Sequence, residues 1–171
     1  MMLLGDRDRF AIEYELDPAP VGDVESGHWM FGRVRWWCGG EPVGRFEPET
    51  ALGAVAATAD RVLRAETARY APELMACPAE SLARYVTDAL FAEDGRSDGQ
   101  IAADGARYWP FFVRPGLDSF DPWDVLVVEG SGEARLIWGV AGRRAVRECR
   151  LAAGEFAGVL REFLRAVKWD V

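Results

Sequence analysis

The feature that most constrains the fold is a strongly amphipathic segment near the end of the 171-residue chain. Its apolar residues follow the spacing i, i+3, i+4, i+7, i+8 and i+11: Phe156, Val159, Leu160, Phe163, Leu164 and Val167. A helix with this spacing places all these side chains on one wide face, which must be buried against another element. The sequence therefore predicts a helix over residues 156–167 that covers one face of a sheet.

Segments with strand character supply that sheet. Residues 10–16 alternate between large apolar side chains and small or acidic ones, the pattern of a half-buried strand. Residues 29–38 are rich in aromatic and β-branched residues, and Gly39-Gly40 then predicts a turn into a short edge strand over residues 41–45. Three further strands are predicted as an antiparallel meander: residues 125–129, 134–140 and 145–150.

Two more helices are predicted in the middle of the chain. The first begins at Pro48 or Thr50, both suited to a helix start, and ends near residues 66–70. The second has Pro78 at its first position. The polar, glycine-rich segment that follows, residues 93–105, is predicted to be a mobile loop.

Strands grouped into hairpins, rather than alternating with helices, indicate an α+β fold with a mainly antiparallel sheet. We expect about five to six strands with helices packed on them. The length and the 50% hydrophobic content suit one core, so a single domain is predicted over residues 1–171.

An acidic loop lies between two apolar runs, residues 108–113 and 123–128, which are predicted to be part of the sheet core. Three aspartates recur there at intervals of three, but their spacing does not match a calcium-binding loop. Asp-Pro favours a turn, and an exposed acidic loop can also contact a basic protein. The candidate contact residues are Asp118, Asp121, Trp123 and Asp124.

The sequence contains no recognisable catalytic motif. His28 is the only histidine, and no local signature pairs it with Cys38, Cys77 or Cys149. The three cysteines are widely spaced, which argues against a zinc site and against a disulfide framework. We therefore predict that the protein is not an enzyme and has no metal and no cofactor.

The charge of the chain bears on its partners. The formal net charge of −8 disfavours nucleic acid, whose phosphates require clustered basic residues, and it permits a basic protein partner. Four arginines do recur near the last predicted strand, but they divide between its two faces and are interpreted as a solvated surface: Arg143, Arg144, Arg147 and Arg150.

Hydropathy bears on the compartment. No apolar run approaches the roughly 18 residues that span a membrane, and the N-terminal apolar run is too short for a signal peptide. The expectation is a cytoplasmic protein without a membrane partner.

Trp36 and Trp37 are neighbours on one predicted strand, so their side chains must point to opposite faces. One of the two is therefore covered by a helix on the other face, buried at an interface, or exposed as a binding anchor. The last possibility leaves open a scaffold subunit that forms a homodimer through a tryptophan, so both a monomer and a homodimer remain possible.

Three stretches in the first 65 residues carry a family resemblance. They are Gly5-Asp6 followed by FAIEYE from Phe10, the run FGRVRWWCGG from Phe31 that continues to Gly44, and Leu52 with its helix. Together they resemble immunity protein family 42 of bacterial polymorphic toxin systems. The resemblance implies a small cytosolic protein, encoded beside a toxin, that binds the toxin domain stoichiometrically and has no catalytic residues.

The leading hypothesis is an immunity protein that neutralises a cognate toxin by occlusion. If that toxin is basic, the acidic loop over residues 117–124 would contact its substrate-binding cleft. The alternative is a small-molecule-binding or enzymatic α+β domain, with a pocket between the sheet and the 93–105 loop.

Overall fold

The computed structural model describes residues 1–17, 30–92 and 94–169. The strands and helices in these residues are β1 (Met2–Gly5), β2 (Phe10–Leu16), β3 (Phe31–Cys38), β4 (Glu41–Val43), β5 (Thr50–Ala51), α1 (Leu52–Arg64), α2 (Ala79–Phe91), α3 (Asp98–Tyr108), β6 (Trp123–Glu129), β7 (Glu133–Val140), β8 (Val146–Ala152) and α4 (Glu155–Ala166). Short 3₁₀ turns occupy Glu66–Arg69, Pro72–Leu74 and Trp109–Phe111.

The first sheet has five antiparallel strands. β1, β2, β3 and β4 pair in that order, and β5 pairs with the start of β3. Residues Gly39 and Gly40 form the two-residue turn between β3 and β4, with φ angles of 54° and 83°. Positive φ at both turn residues suits the twist of a tight hairpin, which explains why glycine occupies both positions.

The second sheet is the predicted meander. β6 pairs with β7 from Trp123 opposite Val140, and β7 pairs with β8 from Glu133 opposite Ala152. Both faces of this sheet are covered: Val125 and Val127 face the main core, whereas Leu126 faces a second cluster.

The main core lies between the first sheet, α1, α4 and one face of the second sheet. The predicted amphipathic helix is confirmed as α4, and the apolar residues predicted for its face are all buried. Phe156 packs against Phe10 of β2 at 4.6 Å between ring centroids, and Phe163 packs against Tyr14 at 5.4 Å. Because residues of both sheets and both helices share this core, the α+β protein forms one compact domain.

The second cluster covers the other face of the second sheet. It is built from α2, the end of α3 and the segment after it, with Val86, Tyr108 and Phe112 among the buried residues. Helix α2, residues 79–91, therefore packs on the second sheet, whereas α1 and α4 pack on the first sheet.

The α+β class and the antiparallel pairing are confirmed. The strands divide into two sheets of five and three, however, whereas the sequence had indicated one sheet of five to six. The division follows from the polypeptide between β5 and β6, which contains α1, α2 and α3 and separates the two groups of strands.

Two predictions in the middle of the chain are wrong. Residues 98–105 are not a loop, because α3 begins at Asp98 behind a capping box formed by Ser97 and Gln100; only residues 94–97 before it are irregular. Residues 108–113 are not a sheet strand: they form the end of α3, a 3₁₀ turn and a single bridge from Phe112 to Leu126. Their apolar side chains are nevertheless core residues, as Phe111 and Phe112 are both buried.

Some predictions concern residues outside the described part of the chain. His28 and the predicted strand start at Trp29 belong to residues 18–29. Within residues 1–17, 30–92 and 94–169, no helix combines the length and apolar character needed to cross a membrane.

Candidate interaction surface

The acidic loop before β6 forms a compact turn over residues 117–122. The amide of Phe120 donates to the carbonyl of Leu117 at 2.8 Å, and that of Trp123 donates to Phe120 at 3.0 Å. The amide of Asp121 also donates to Leu117, at 3.1 Å. Backbone hydrogen bonds therefore hold the turn, in agreement with the turn chemistry expected of Asp and Pro.

The buried side chain of Phe120 fixes this turn to the core, against which Leu117 also packs. Phe120 is fully buried and contacts Trp36 of the first sheet, with ring centroids 5.6 Å apart. Its ring also lies so close to Gly44 that a Cβ there would be 2.8 Å from ring atoms, and Gly44 has a φ of 93°. Both the close approach and the positive φ require glycine at this position.

The predicted contact residues occupy different environments. Asp118 and Asp121 are exposed, and Asp121 pairs with Arg114 at 2.6 Å. Trp123 is half-buried against the main core, and Asp124 is half-buried at the start of β6. In the described part of the chain, no three carboxylate, cysteine or histidine side chains group as metal ligands, these aspartates included.

Asp124 has an unusual electrostatic environment for an aspartate. Burial raises the pKa of its carboxyl group, and the positive charge of Arg114 lowers that pKa only in part. Its charged form is therefore less stable than that of an aspartate in water, and a cationic group placed beside it would favour ionisation.

A second turn, between β7 and β8, lies directly beside the acidic turn. The amide of Ala141 donates to the carbonyl of Pro122 at 2.9 Å and so joins the two turns. Arg143 and Arg144 lie in this second turn, because β8 begins only at Val146. The other two arginines of that run form ion pairs, Arg147 with Glu41 at 2.9 Å and Arg150 with Glu133 at 2.8 Å.

A groove of about 740 Å³ opens between this second turn, α2 and the second sheet. Its floor includes Leu126, Ile137 and Val146, and Asp124 lies at its edge. The sequence did not reveal the groove, because its walls come from residues 80–92 and 139–146, which no local motif connects.

The pocket predicted beside residues 93–105 does not coincide with this groove. The groove is lined by α2 and the sheet, whereas Asp94, Arg96 and Asp104 line a smaller hollow of about 230 Å³ next to α2. Arg96 is held there by Asp94 at 2.6 Å and Asp104 at 2.7 Å, which ties α3 to the segment before it.

The outer face of the first sheet carries a second polar arrangement. Trp36 lies in the core, and Trp37 points to the opposite face, as the alternation of strand side chains predicts. There Glu13, only 1% exposed, accepts hydrogen bonds from Arg35 at 2.8 Å and from the Trp37 indole at 2.7 Å. The guanidinium groups of Arg7 and Arg35 lie 4.7 and 4.8 Å from the Trp37 ring.

The environment of Glu13 determines its charge. Burial by itself would raise the pKa of this carboxyl group. The hydrogen bonds from Arg35 and Trp37, with the charges of Arg35 and Arg7, outweigh burial and lower the pKa below its ordinary value. Glu13 is therefore ionised at neutral pH and stabilises the tryptophan and the two arginines around it.

Comparison with protein-family models assigns the chain to the immunity proteins, with a match over residues 2–166. Within that class it belongs to the immunity protein 42 family. Membership of the family confirms the resemblance of the N-terminal stretches and makes the chain an immunity protein that neutralises a toxin.

The fold is similar to that in the crystal structure of CdiI from Burkholderia dolosa AUO158. The TM-score is 0.72 at 21% sequence identity, over 96% of this chain and 99% of that one. At this identity the likeness concerns the fold. A search of curated proteins gave no match.

Proposed function

We propose that the protein neutralises its cognate toxin by direct, stoichiometric binding of the toxin domain, without catalysing a reaction. The toxin would contact the acidic turn through Asp118, Asp121, Trp123 and Asp124. The observation that carries this proposal is the turn itself: it presents two exposed carboxylates on a backbone anchored by the buried Phe120.

The anchored turn suits protein recognition for an energetic reason. Binding loses affinity when loops and side chains must be ordered, and a turn already held by hydrogen bonds avoids much of that cost. The net charge of −8 also favours encounter with a basic partner. The proposed site of action is the cytoplasm, as a monomer or homodimer, with no nucleic-acid or membrane partner.

Charge reversal tests the turn. We expect Asp118→Lys combined with Asp121→Lys to raise the Kd for the toxin domain by at least about 30-fold, roughly 2 kcal/mol, because attraction is replaced by repulsion. The measurement is calorimetric titration with the inactivated toxin domain encoded by the neighbouring gene. Growth rescue during co-expression with the active toxin gives the functional counterpart.

The matched control is Glu73→Lys with Glu162→Lys, which changes the net charge by the same amount at two other exposed positions. The control should bind like the wild type. If the turn variant also does so, the acidic turn lies outside the interface. If the wild-type protein neither binds nor protects against the toxin, occlusion itself is contradicted.

A further inference from the structure

Three arginines lie together on the rim of the groove, and the described residues provide no ion-pair partner for them. They are Arg84 on α2 and Arg143 and Arg144 in the turn between β7 and β8. All three side chains are exposed. Elsewhere most arginines of this acidic protein are paired, as Arg135 is with Glu148 at 2.5 Å.

The floor of the groove is apolar. Asp124, Gly139 and Val146 lie side by side on the three strands, and the central position carries no side chain. A Cβ at Gly139 would lie 3.0 Å from both the Ala145 carbonyl oxygen and Val146 Cγ1, so a larger residue is disfavoured there. Leu126 and Ile137 are almost fully buried, so an apolar side chain of a partner could rest only on the partly exposed Val146 of this floor.

We propose that this groove binds an acidic segment of the toxin domain, with an apolar side chain on the floor and carboxylates paired with the three arginines. The inference rests on the proposed function and adds a second contact region and its chemistry. Arginine is well suited to the role, because its planar guanidinium donates two parallel hydrogen bonds to a carboxylate.

The other side chains of the groove favour a protein segment over a polyanion. Glu80 and Asp88 on α2, together with Asp124, also line the groove and balance the charge of the three arginines. They would repel a continuous chain of phosphates, whereas a peptide can place single carboxylates at the arginines and away from these acidic side chains. A small inorganic anion could pair with the arginines but would leave the partly exposed Val146 uncovered. A peptide that combines carboxylates with an apolar residue satisfies both parts.

The groove and the acidic turn are adjacent, so one partner can contact both. The hydrogen bond from Ala141 to Pro122 joins the two turns, and Asp124 belongs to both regions. Neighbouring patches of opposite charge fix the orientation of a partner, because a reversed approach would bring like charges together.

The test replaces the three arginines in the full-length protein by glutamate: Arg84→Glu, Arg143→Glu and Arg144→Glu. We expect the Kd for the inactivated toxin domain from the neighbouring gene to rise by at least 100-fold, with circular dichroism and thermal midpoint close to wild type. The matched control is Arg61→Glu, Arg107→Glu and Arg165→Glu, which alters three exposed arginines that also lack a described ion pair and do not line the groove.

Exchanging charges on the toxin tests the proposed pairing directly. Acidic toxin residues that are protected from labelling in the complex are changed to arginine, and these changes should restore binding to the glutamate variant of this protein. If the glutamate variant binds the unmodified toxin as tightly as the wild-type protein does, the inference is overturned and the proposed function is unaffected. A wild-type protein that binds no toxin would instead contradict the proposed function.

Self-association is the competing use of the groove. Mass measurement by light scattering over a range of concentrations detects it. A wild-type dimer that dissociates in the glutamate variant, with unchanged affinity for the toxin, would assign the groove to a second copy of this chain and overturn the inference.

Discussion

Glu13 illustrates how one buried carboxylate organises a surface. Its side chain receives hydrogen bonds from Arg35 and Trp37 and pairs with Arg7 at 3.2 Å, and these groups form most of the polar network on the outer face of the first sheet. Each arginine remains partly exposed, so water screens part of the attraction. The hydrogen bond from its indole to Glu13 and the two guanidinium groups beside its ring fix the position of Trp37.

Removing this charge should weaken the fold. We expect Glu13→Gln to lower the free energy of unfolding at neutral pH by about 1–2 kcal/mol, because hydrogen bonds to a charged acceptor become hydrogen bonds to a neutral one. Urea denaturation measures the change. Glu15→Gln is the control, because the Glu15 side chain is 44% exposed and its pairing with Arg33 is loose at 3.9 Å. Equal losses in both variants would contradict a special role for Glu13.

The same substitution has a defined pH dependence. Because the folded-state pKa of Glu13 is lowered, its stabilisation is fully present above the unfolded-state value near 4.3 and is lost as the pH falls through the folded-state value. The stability difference between wild type and Glu13→Gln should therefore shrink below about pH 4.

Asp124 should behave in the opposite sense. Burial raises its folded-state pKa, so the ionised carboxylate is a source of instability at neutral pH that disappears on protonation. We expect Asp124→Asn to unfold at a urea concentration equal to or higher than wild type at pH 7, with the difference closing towards pH 3. If Asp124 contacts the toxin as proposed, the Asp124→Asn variant binds the toxin less tightly than the wild-type protein does. A loss of stability of this variant at pH 7 would contradict the destabilising effect assigned to the ionised carboxylate.

The elements that the sequence predicted well are those in which the apolar spacing typical of a helix or a strand is visible within the element's own residues. α4 presents a wide apolar face at helical spacing. The residues of β2 alternate in sequence and the strand was predicted correctly, but its first five residues are all buried, so it is not the half-buried strand expected. α3 escaped prediction because Tyr108 is its only buried described residue, so its sequence has almost no apolar periodicity. The signal that was present was the capping box of Ser97 and Gln100, a serine followed three residues later by glutamine.

At the scale of elements, the acidic turn should depend on its buried anchor. We expect Phe120→Ala to lower the free energy of unfolding by about 3–5 kcal/mol, since it leaves a cavity beside Trp36 in the main core. Denaturant titration measures the loss. Ile101→Ala, at an exposed position of α3, should change stability by less than about 0.5 kcal/mol. A comparably small effect of Phe120→Ala would show that the turn holds its shape without the anchor.

Over the whole molecule, the two sheets are connected mainly through side chains. Trp138 of β7 packs beside Gly39, and its indole donates to Glu41 at 3.2 Å, while Arg147 of β8 pairs with the same glutamate. These contacts join residues about one hundred positions apart, and nothing in the local sequence indicates them. The sequence therefore could not predict the number of sheets, although it could predict which neighbouring strands pair in each hairpin.

The candidate site shows the same limit. The acidic turn was predictable because its aspartates and proline lie together in the sequence. The groove requires α2 to lie across the second sheet, and only that packing brings Arg84 near Arg143 and Arg144. A net charge of −8 also conceals local excesses of the opposite sign, because a sum over the chain says nothing about where unpaired charges lie.

The single hydrogen bond between Ala141 and Pro122 has a consequence for how such a protein can diversify. It joins two backbones, so it does not depend on the side chains that the two turns display. Asp118, Asp121, Arg143 and Arg144 are all exposed and contribute little to the core. If these turns recognise the toxin as proposed, mutation can exchange their side chains freely, and new partner specificities can arise on an unchanged scaffold.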